Sequence, residues 1–526
     1  MSQVIYTHKN GTKYVYESTS YYDKEKKQAR PKRKLIGKID PVTGAIVPTQ
    51  PRGRKPKHVE KNDEKKTGGV RSIKSYGATY LLTELAKKMG VLSDLKEIFP
   101  DSYLELLTLM QYLILEPGNS IREFDQWQTK VETELTKDLS SKRVSELFAT
   151  ISEDDKQRFF HAQQQRYINE EYWVFDTTSI STYSDIDYAK YGYNKEDDKL
   201  KQVNLGLVVG ETSRIPVMYR LLPGNIVDSK TIETLLSLLD EFPQKMKKLV
   251  LDRGFYKERN IQMLCEEGVE FVAGGKRGVK YIDEVIERLL PEIKEIEHYS
   301  TKEKLYIGSE KISHFRASET SHYPVTVHVY HDEFQQYQQK TKLMEDLDEL
   351  LTLLNEDEKS RKEIESNNRG LMTYVTLNPE DNRYSLNTEV IKKRIATMGT
   401  FVLLSNSNQS SQECLRIYRD KDIVEKKFQT LKNDLEMRRL RTHGQETTEG
   451  KMFVQYLTVV VESYLREQMR GTKLDEKYTL KDLLEEIKSV YTYIDGGGNY
   501  TLAEVTNKQA KIFERLGILH PSFSIR

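Results

Sequence analysis

The chain has 526 residues, 37% hydrophobic and 31% charged, which excludes both a disordered chain and a single small core. Its two cysteines, Cys265 and Cys414, form no C-x-x-C pair, which argues against a disulfide framework or a zinc site and fits a reducing cytosol. The net charge of +1 hides an asymmetry: Met1–Ser75 holds 19 lysines and arginines against 7 acids, so it carries +12 and the remainder −11. A basic end suits an anionic partner such as nucleic acid, and equally a solvated tail.

The first residues, MSQVIYTHKN, lack the apolar core of a secretion signal, and the longest apolar stretch, Tyr103–Leu115, is too short to span a bilayer. Residues 1–50 read as a β-rich segment. Strands are expected at Thr12–Tyr22 and Lys34–Ile39, joined by the charged turn Asp23–Arg30, with a second turn at Asp40–Gly44 before Ala45–Val47. Residues 51–70 form a basic, apolar-poor linker. Residues 71–168 are helical: Leu81, Leu82, Leu85 and Ala86 recur at helix spacing before Gly90, and Pro117-Gly118 ends the helix Leu104–Leu115. Such a cluster after a basic linker is either a DNA-binding module or plain helical packing.

From residue 169 the pattern changes. Tyr172–Phe175 is a buried-strand run closed by Asp176, and Val203–Val209 and Ile215–Leu221 alternate as a hairpin. Asp228 is placed to cap a helix carrying Ile232, Leu235, Leu236 and Leu239. A fourth strand, Lys248–Leu251, ends in Asp252; a helix through Ile261, Leu264 and Cys265 stops at Gly268, and a fifth strand, Val269–Ala273, follows. Three strands, a helix, a strand, a helix and a strand are the order of an α/β RNase H-like core, here residues 169–280. Residues 281–400 mix strands (Val325–Tyr330, Met372–Thr376, Thr400–Leu404) with a charged helix near Lys340–Glu363, and read as an inserted α+β domain. The core resumes over 401–470 with a helix at Arg416–Asp434, and 471–526 form a helical tail broken at Gly496–Gly498.

Two-metal phosphoryl transfer requires carboxylates converging on two divalent ions ~4 Å apart. Asp176 and Asp252 close the first and fourth strands, whose ends lie side by side in this fold. A third acid must come from a helix packed on the sheet, and Glu425 fits. Val424, Phe428, Leu431 and Leu435 form the buried stripe of its helix, while Tyr418, Lys421, Glu425 and Lys432 share an adjoining one, where the Tyr and two Lys make a wall suited to phosphates. Singly, each acid reads as a cap or a solvated helix position; together, in this order, they are specific.

VFDTTS (Val174–Ser179), LVLDRGFYKERNI (Leu249–Ile261) and YRDKDIVEKKFQTLK (Tyr418–Lys432) resemble the three catalytic blocks of insertion-sequence-four-type DDE transposases. The third fits the signature Y-x2-[RK]-x3-E-x6-K through Tyr418, Lys421, Glu425 and Lys432, with Lys421 where Arg is usual. KLKQVNLG (Lys199–Gly206), Leu222–Asn225 with Asp228, and KRKLIGKIDPVTG near the N-terminus add to the likeness. The resemblance implies a bacterial mobile-element enzyme, cytoplasmic and nucleoid-associated, that binds double-stranded DNA at terminal inverted repeats as a homodimer, then cleaves and joins to target DNA. It implies Asp176, Asp252 and Glu425 as ligands of two Mg²⁺ ions, with Mn²⁺ substituting, and Tyr418, Lys421 and Lys432 on the DNA ends; Arg253 either touches phosphate or pairs with an acid. Some relatives form a hairpin intermediate and stack a flipped base on an inserted-domain Trp. Here Trp127 and Trp173 both lie outside the insertion, which leaves the role to a Tyr or Phe, such as Tyr281 or Tyr306. The competing readings are an RNase H-like nuclease without strand transfer and a DNA-binding protein with a dead core.

Overall fold

The computed structural model describes residues 2–8, 11–23, 28–49, 70–167, 171–192, 199–226, 230–240, 248–356, 359–435, 439–440, 442, 444–495 and 500–522. It divides into two compact units, Met1–Lys66 and Thr67–Arg526. The turn at residues 24–27, the linker 50–69, Asp228 and Gly496–Gly498 lie outside the described residues.

The first unit is an antiparallel meander of β1 (Ser2–Thr7), β2 (Lys13–Asp23), β3 (Gln28–Ile39) and β4 (Ile46–Val47). β1 was not expected, and β3 begins earlier than its apolar residues suggest. The turn before β4 is held as its sequence predicts: Asp40 accepts from Val42 N at 2.9 Å and Thr43 N at 3.0 Å.

The second unit begins with β5 (Val70–Ser75) and the helices α1 (Gly77–Lys88), α2 (Val91–Ile98), α3 (Tyr103–Leu115), α4 (Phe124–Gln128), α5 (Ser141–Thr150) and α6 (Glu153–Tyr167). The RNase H-like core follows: β6 (Trp173–Thr182), β7 (Lys201–Gly210), β8 (Pro216–Pro223), α7 (Thr231–Asp240), β9 (Lys248–Leu251), α8 (Glu258–Glu266) and β10 (Glu270–Gly274). Next come α9 (Lys280–Ile293), β11 (Tyr299–Ser300), β12 (Leu305–Ile312), β13 (Val325–His331), α10 (Glu333–Glu356), α11 (Arg361–Asn367), β14 (Val375–Asn378), β15 (Arg383–Leu386), α12 (Thr388–Ala396) and β16 (Thr400–Ser405). The chain closes with α13 (Ser411–Arg419), α14 (Asp422–Gln429), β17 (Arg439–Leu440), α15 (Gln445–Gly471), α16 (Leu480–Lys488), β18 (Tyr491–Asp495), β19 (Tyr500–Leu502) and α17 (Asn507–Arg515).

The main sheet runs β11-β12-β13-β16-β10-β9-β6-β7-β8, with β17 on the far end of β6. β6, β9 and β10 are parallel, and β7 and β8 are antiparallel additions. The expected order of strands and helices is therefore present over β6–β10.

Three expectations need correction. The insertion is narrower than 281–400. β12 and β13 continue the main sheet through β16, and α9 packs on them. Leu305, Ile307, Val325, Val327 and Val329 belong to the main core, whereas α10–α12 with β14 and β15 have a small core of their own around Leu347, Leu350, Leu354 and Val375. The strand expected at Met372–Thr376 starts only at Val375, after a 3-10 turn. Second, the helical region 71–168 is not separate. α3 is buried nearly all round, as its unbroken apolar run requires, and it packs with α5 against α15. Gly450 permits this approach, since a Cβ there would lie 1.9 Å from the Phe148 carbonyl oxygen. Third, the tail 471–526 is not all helical: β18 pairs with β19 on one side and with β5 on the other.

Candidate active site

The end of β9 determines the site. In the parallel pairing of β6 with β9, Phe175 lies opposite Leu251, so Asp176 and Asp252 leave that register at the same level. Asp252 is where β9 stops, at the N-terminus of a 3-10 turn over Arg253–Phe255. Asp176, however, does not close its strand. β6 continues for six residues beyond it, because Thr177, Thr178, Ser179, Ser181 and Thr182 are buried while pairing with β7. Asp176 is half-buried, and its Oδ1 accepts from Thr177 N at 2.7 Å.

Two side chains converge on Asp252. Its Oδ1 accepts from the Tyr418 hydroxyl at 2.7 Å and from Lys421 Nζ at 2.5 Å, and the Lys421 ammonium lies 4.9 Å from the centre of the Tyr418 ring. Burial pushes the Asp252 carboxyl up, but the bonds from Lys421 and Tyr418 outweigh it and hold the carboxyl below its ordinary value. Burial, with Asp252 beside it, pushes the Tyr418 hydroxyl up, so it remains a neutral donor.

Tyr418 reaches Asp252 because α13 is pinned at its other end. Ser410 and Glu413 form a capping box, Tyr330 Oη donates to the Ser411 carbonyl at 2.7 Å, and His328 Nδ1 lies 2.8 Å from Ser411 Oγ. Gly274, the last residue of β10, leaves the space: a Cβ there would lie 2.6 Å from Tyr418 Oη and 2.8 Å from Arg253 N. Sequence reasoning missed Gly274, although the Gly274-Gly275 pair at a strand end signals a close approach.

The expected single helix Arg416–Asp434 is three pieces. Bonds from Lys421 N to Tyr418 O, Ile423 N to Asp420 O and Val424 N to Lys421 O span three residues each, which breaks the α-helical ladder between α13 and α14. A π-helical turn over Thr430–Asp434 then follows α14. Val424, Phe428, Leu431 and Leu435 are buried as expected. The break means that Tyr418 and Glu425 do not share one continuous helical stripe. Glu425 lies in the first turn of α14, which packs on β6 and β7, and it is exposed. Lys432 is half-buried in the π turn, and Arg253 is exposed beside Asp252. Asp176, Asp252, Tyr418 and Lys421 are thus gathered at one sheet end. Among the described residues no group of three His, Cys, Asp or Glu side chains is close enough to hold a metal ion.

Tyr281 and Tyr306 are both occupied. The Tyr281 ring stacks on His314 at 4.1 Å with its hydroxyl 2.8 Å from that of Tyr256, and Tyr306 sits in β12 against Tyr299. No helix among the described residues is long and apolar enough to cross a membrane.

An acid-lined sheet end on an RNase H-like core is the framework of a phosphoryl-transfer enzyme acting on nucleic acid. Residues 171–461 match the transposase DDE domain family, and the chain belongs to it. It is a DNA transposase, an enzyme that cuts and joins DNA, of a family that works with divalent metal ions. Two solved structures are similar at low identity. A piggyBac transposase synaptic complex with hairpin DNA shares 10% identity at a TM-score of 0.36, covering 77% of this chain and 70% of that one. A Mos1 transposase paired-end complex with the left transposon end shares 15% at 0.15, covering 37% and 57%. No curated protein matches the chain.

Proposed function

We propose that the chain is a transposase of the insertion-sequence-four type. It binds double-stranded terminal repeats of a bacterial mobile element as a homodimer, cuts at the element end and joins the freed 3′-OH to target DNA. The reading rests above all on the β6–β9 register, with Asp176 and Asp252 at one level inside the segment matched to the family. It implies a nucleoid-associated protein of the cytoplasm.

Asp176, Asp252 and Glu425 are the proposed holders of divalent ions, two Mg²⁺ with Mn²⁺ as substitute. The donor set fits: carboxylate oxygens suit hard ions, and Asp252 already accepts a cation, the Lys421 ammonium. Glu425, exposed in the first turn of α14, completes the set by turning toward the strands. Bound divalent ions supply charge neutralisation at the phosphate and a lowered pKa for the attacking hydroxyl or water.

The remaining steps belong to the protein. Lys421 moves from Asp252 to a phosphate of the DNA end. Arg253 and Lys432 hold neighbouring phosphates, and Tyr418 donates its hydroxyl hydrogen bond. Attack on phosphorus is in line and forms no covalent enzyme–DNA bond, in keeping with the neutral Tyr418 hydroxyl. The test is incubation of labelled terminal-repeat DNA with a target plasmid and Mg²⁺. Cleavage at the repeat boundary followed by joining is expected. Cleavage never followed by joining would mean a nuclease, and binding without cleavage a dead core.

A further inference from the structure

A cavity of about 420 Å³ opens between α14 and α15, and Glu425 is not among its walls. Five cations reach it from three elements: Arg214 from the β7–β8 turn, Lys426 and Lys427 from α14, and Arg466 and Arg470 from α15. Two acids also line it, and both are engaged: Glu462 pairs with Arg466 at 2.7 Å and Glu467 with Arg470 at 2.5 Å.

Lys427 stands apart. It is only 8% exposed, yet it makes no hydrogen bond or ion pair with any described residue. Burial works against the charge on this ammonium, and at longer range Glu462 and Glu467 attract it while Arg466 and Arg470 repel it. Arg214 is the cation that the β7–β8 turn contributes. Its φ is +57°, a left-handed conformation that a turn ordinarily assigns to Gly or Asn. Arg214 lines the same cavity as Lys427, so cations from a turn and two helices face one space, as an anion site requires.

We propose that this cavity is a phosphate-binding site that takes a backbone phosphate of bound DNA between α14, α15 and the β7–β8 turn. Only the choice of DNA as the source rests on the transposase reading; the phosphate chemistry does not. DNA is favoured because the cavity is larger than a single phosphate fills and the exposed Lys426, Arg466 and Arg470 continue the positive charge outward. A phosphate held here would fix α14, the helix that carries Glu425, against α15, and so couple DNA engagement to the position of that acid.

The test uses the full chain with two probes, inorganic phosphate and a DNA duplex. Lys427→Met replaces the buried ammonium with an apolar chain of similar shape, and Arg214→Gly relieves the left-handed backbone, so both variants should fold. Wild type should gain thermal stability in millimolar phosphate and neither variant should. The slope of log affinity for DNA against log salt should fall by about one in each variant. Phosphate protection lost in the variants with an unchanged DNA slope would overturn DNA as the source and leave a free phosphate anion as the ligand. No protection of wild type and no change in slope would overturn the site. Absence of joining by wild type while phosphate still protects it would instead count against the transposase reading.

Discussion

The carboxylates on the strands and the carboxylate on the helix are held in opposite ways. Asp176 lies within a strand, opposite Leu207 of β7 and one residue past the pairing with β9, and Asp252 ends β9 while bound by Tyr418 and Lys421. Glu425 stands exposed in the first turn of a short helix that begins just after a break. Strand register fixes position through many shared hydrogen bonds, whereas a broken helix can shift with few lost. On the proposed reading, the pair on the sheet is the preformed part of the site and Glu425 is the acid to be recruited.

Substitutions can break or sharpen this contrast. In order of effect on DNA cleavage at neutral pH, Asp252→Asn and Asp176→Asn come first. Each should lower cleavage by about 10²–10³-fold or more, the scale of losing one transition-state charge-stabilising group. Thermal melting should also separate them from Glu425→Gln, which removes an exposed charge and should leave the melting temperature unchanged. An equal loss of stability in all three would erase the distinction between preformed and recruited acids.

Gly274→Ala should follow. Its Cβ must displace Tyr418 Oη, 2.6 Å away, or the Arg253 backbone, which would cost about 1–3 kcal/mol of stability and loosen Asp252. Cleavage near the wild-type rate with unchanged melting would show that Tyr418 does not need this space. Lys421→Met should have a smaller effect, legible in acid. Lys421 lowers the folded pKa of Asp252, so its stabilisation is present above the unfolded value near 3.8 and fades as pH falls through the lowered one. The stability gap between wild type and Lys421→Met should therefore close below pH ~4. Lys421→Arg should keep both the charge and the activity.

His328 should matter least to cleavage at neutral pH. Burial lowers its imidazole pKa to about 4, from 6.5, so it is neutral in the fold and protonates more readily when unfolded. Stability should be full above pH 6.5 and fall progressively toward pH 4 as the unfolded chain takes up the proton. His328→Gln should flatten this part of the pH–stability curve; an unchanged curve would exclude His328 as its source.

Much of the sheet was legible because its strands are apolar runs or clean alternations bounded by turns, and Asp252 was legible as the residue at which such a run stops. The extent of β6 was not. Thr177–Thr182 looks like a polar loop, yet its backbone pairs with β7 throughout and with β17 at Ser181 and Thr182, and threonine suits a strand. β12 was missed because its second half, Gly308–Ile312, is mostly polar at the sheet edge, and β5 because its partner β18 lies over 400 residues away. The break after Arg419 had no glycine or proline to mark it. The acids of the proposed site could be named from the sequence, but the Lys421–Asp252 pair and the room that Gly274 leaves required the fold.

The most direct test of the central claim is Mg²⁺-dependent cleavage of labelled DNA carrying the element's own terminal repeats, comparing wild type with Glu425→Gln. Wild type should cleave at the repeat boundary, and the variant should lose cleavage with DNA binding intact. Equal cleavage by both proteins would contradict this and remove Glu425 as the third acid.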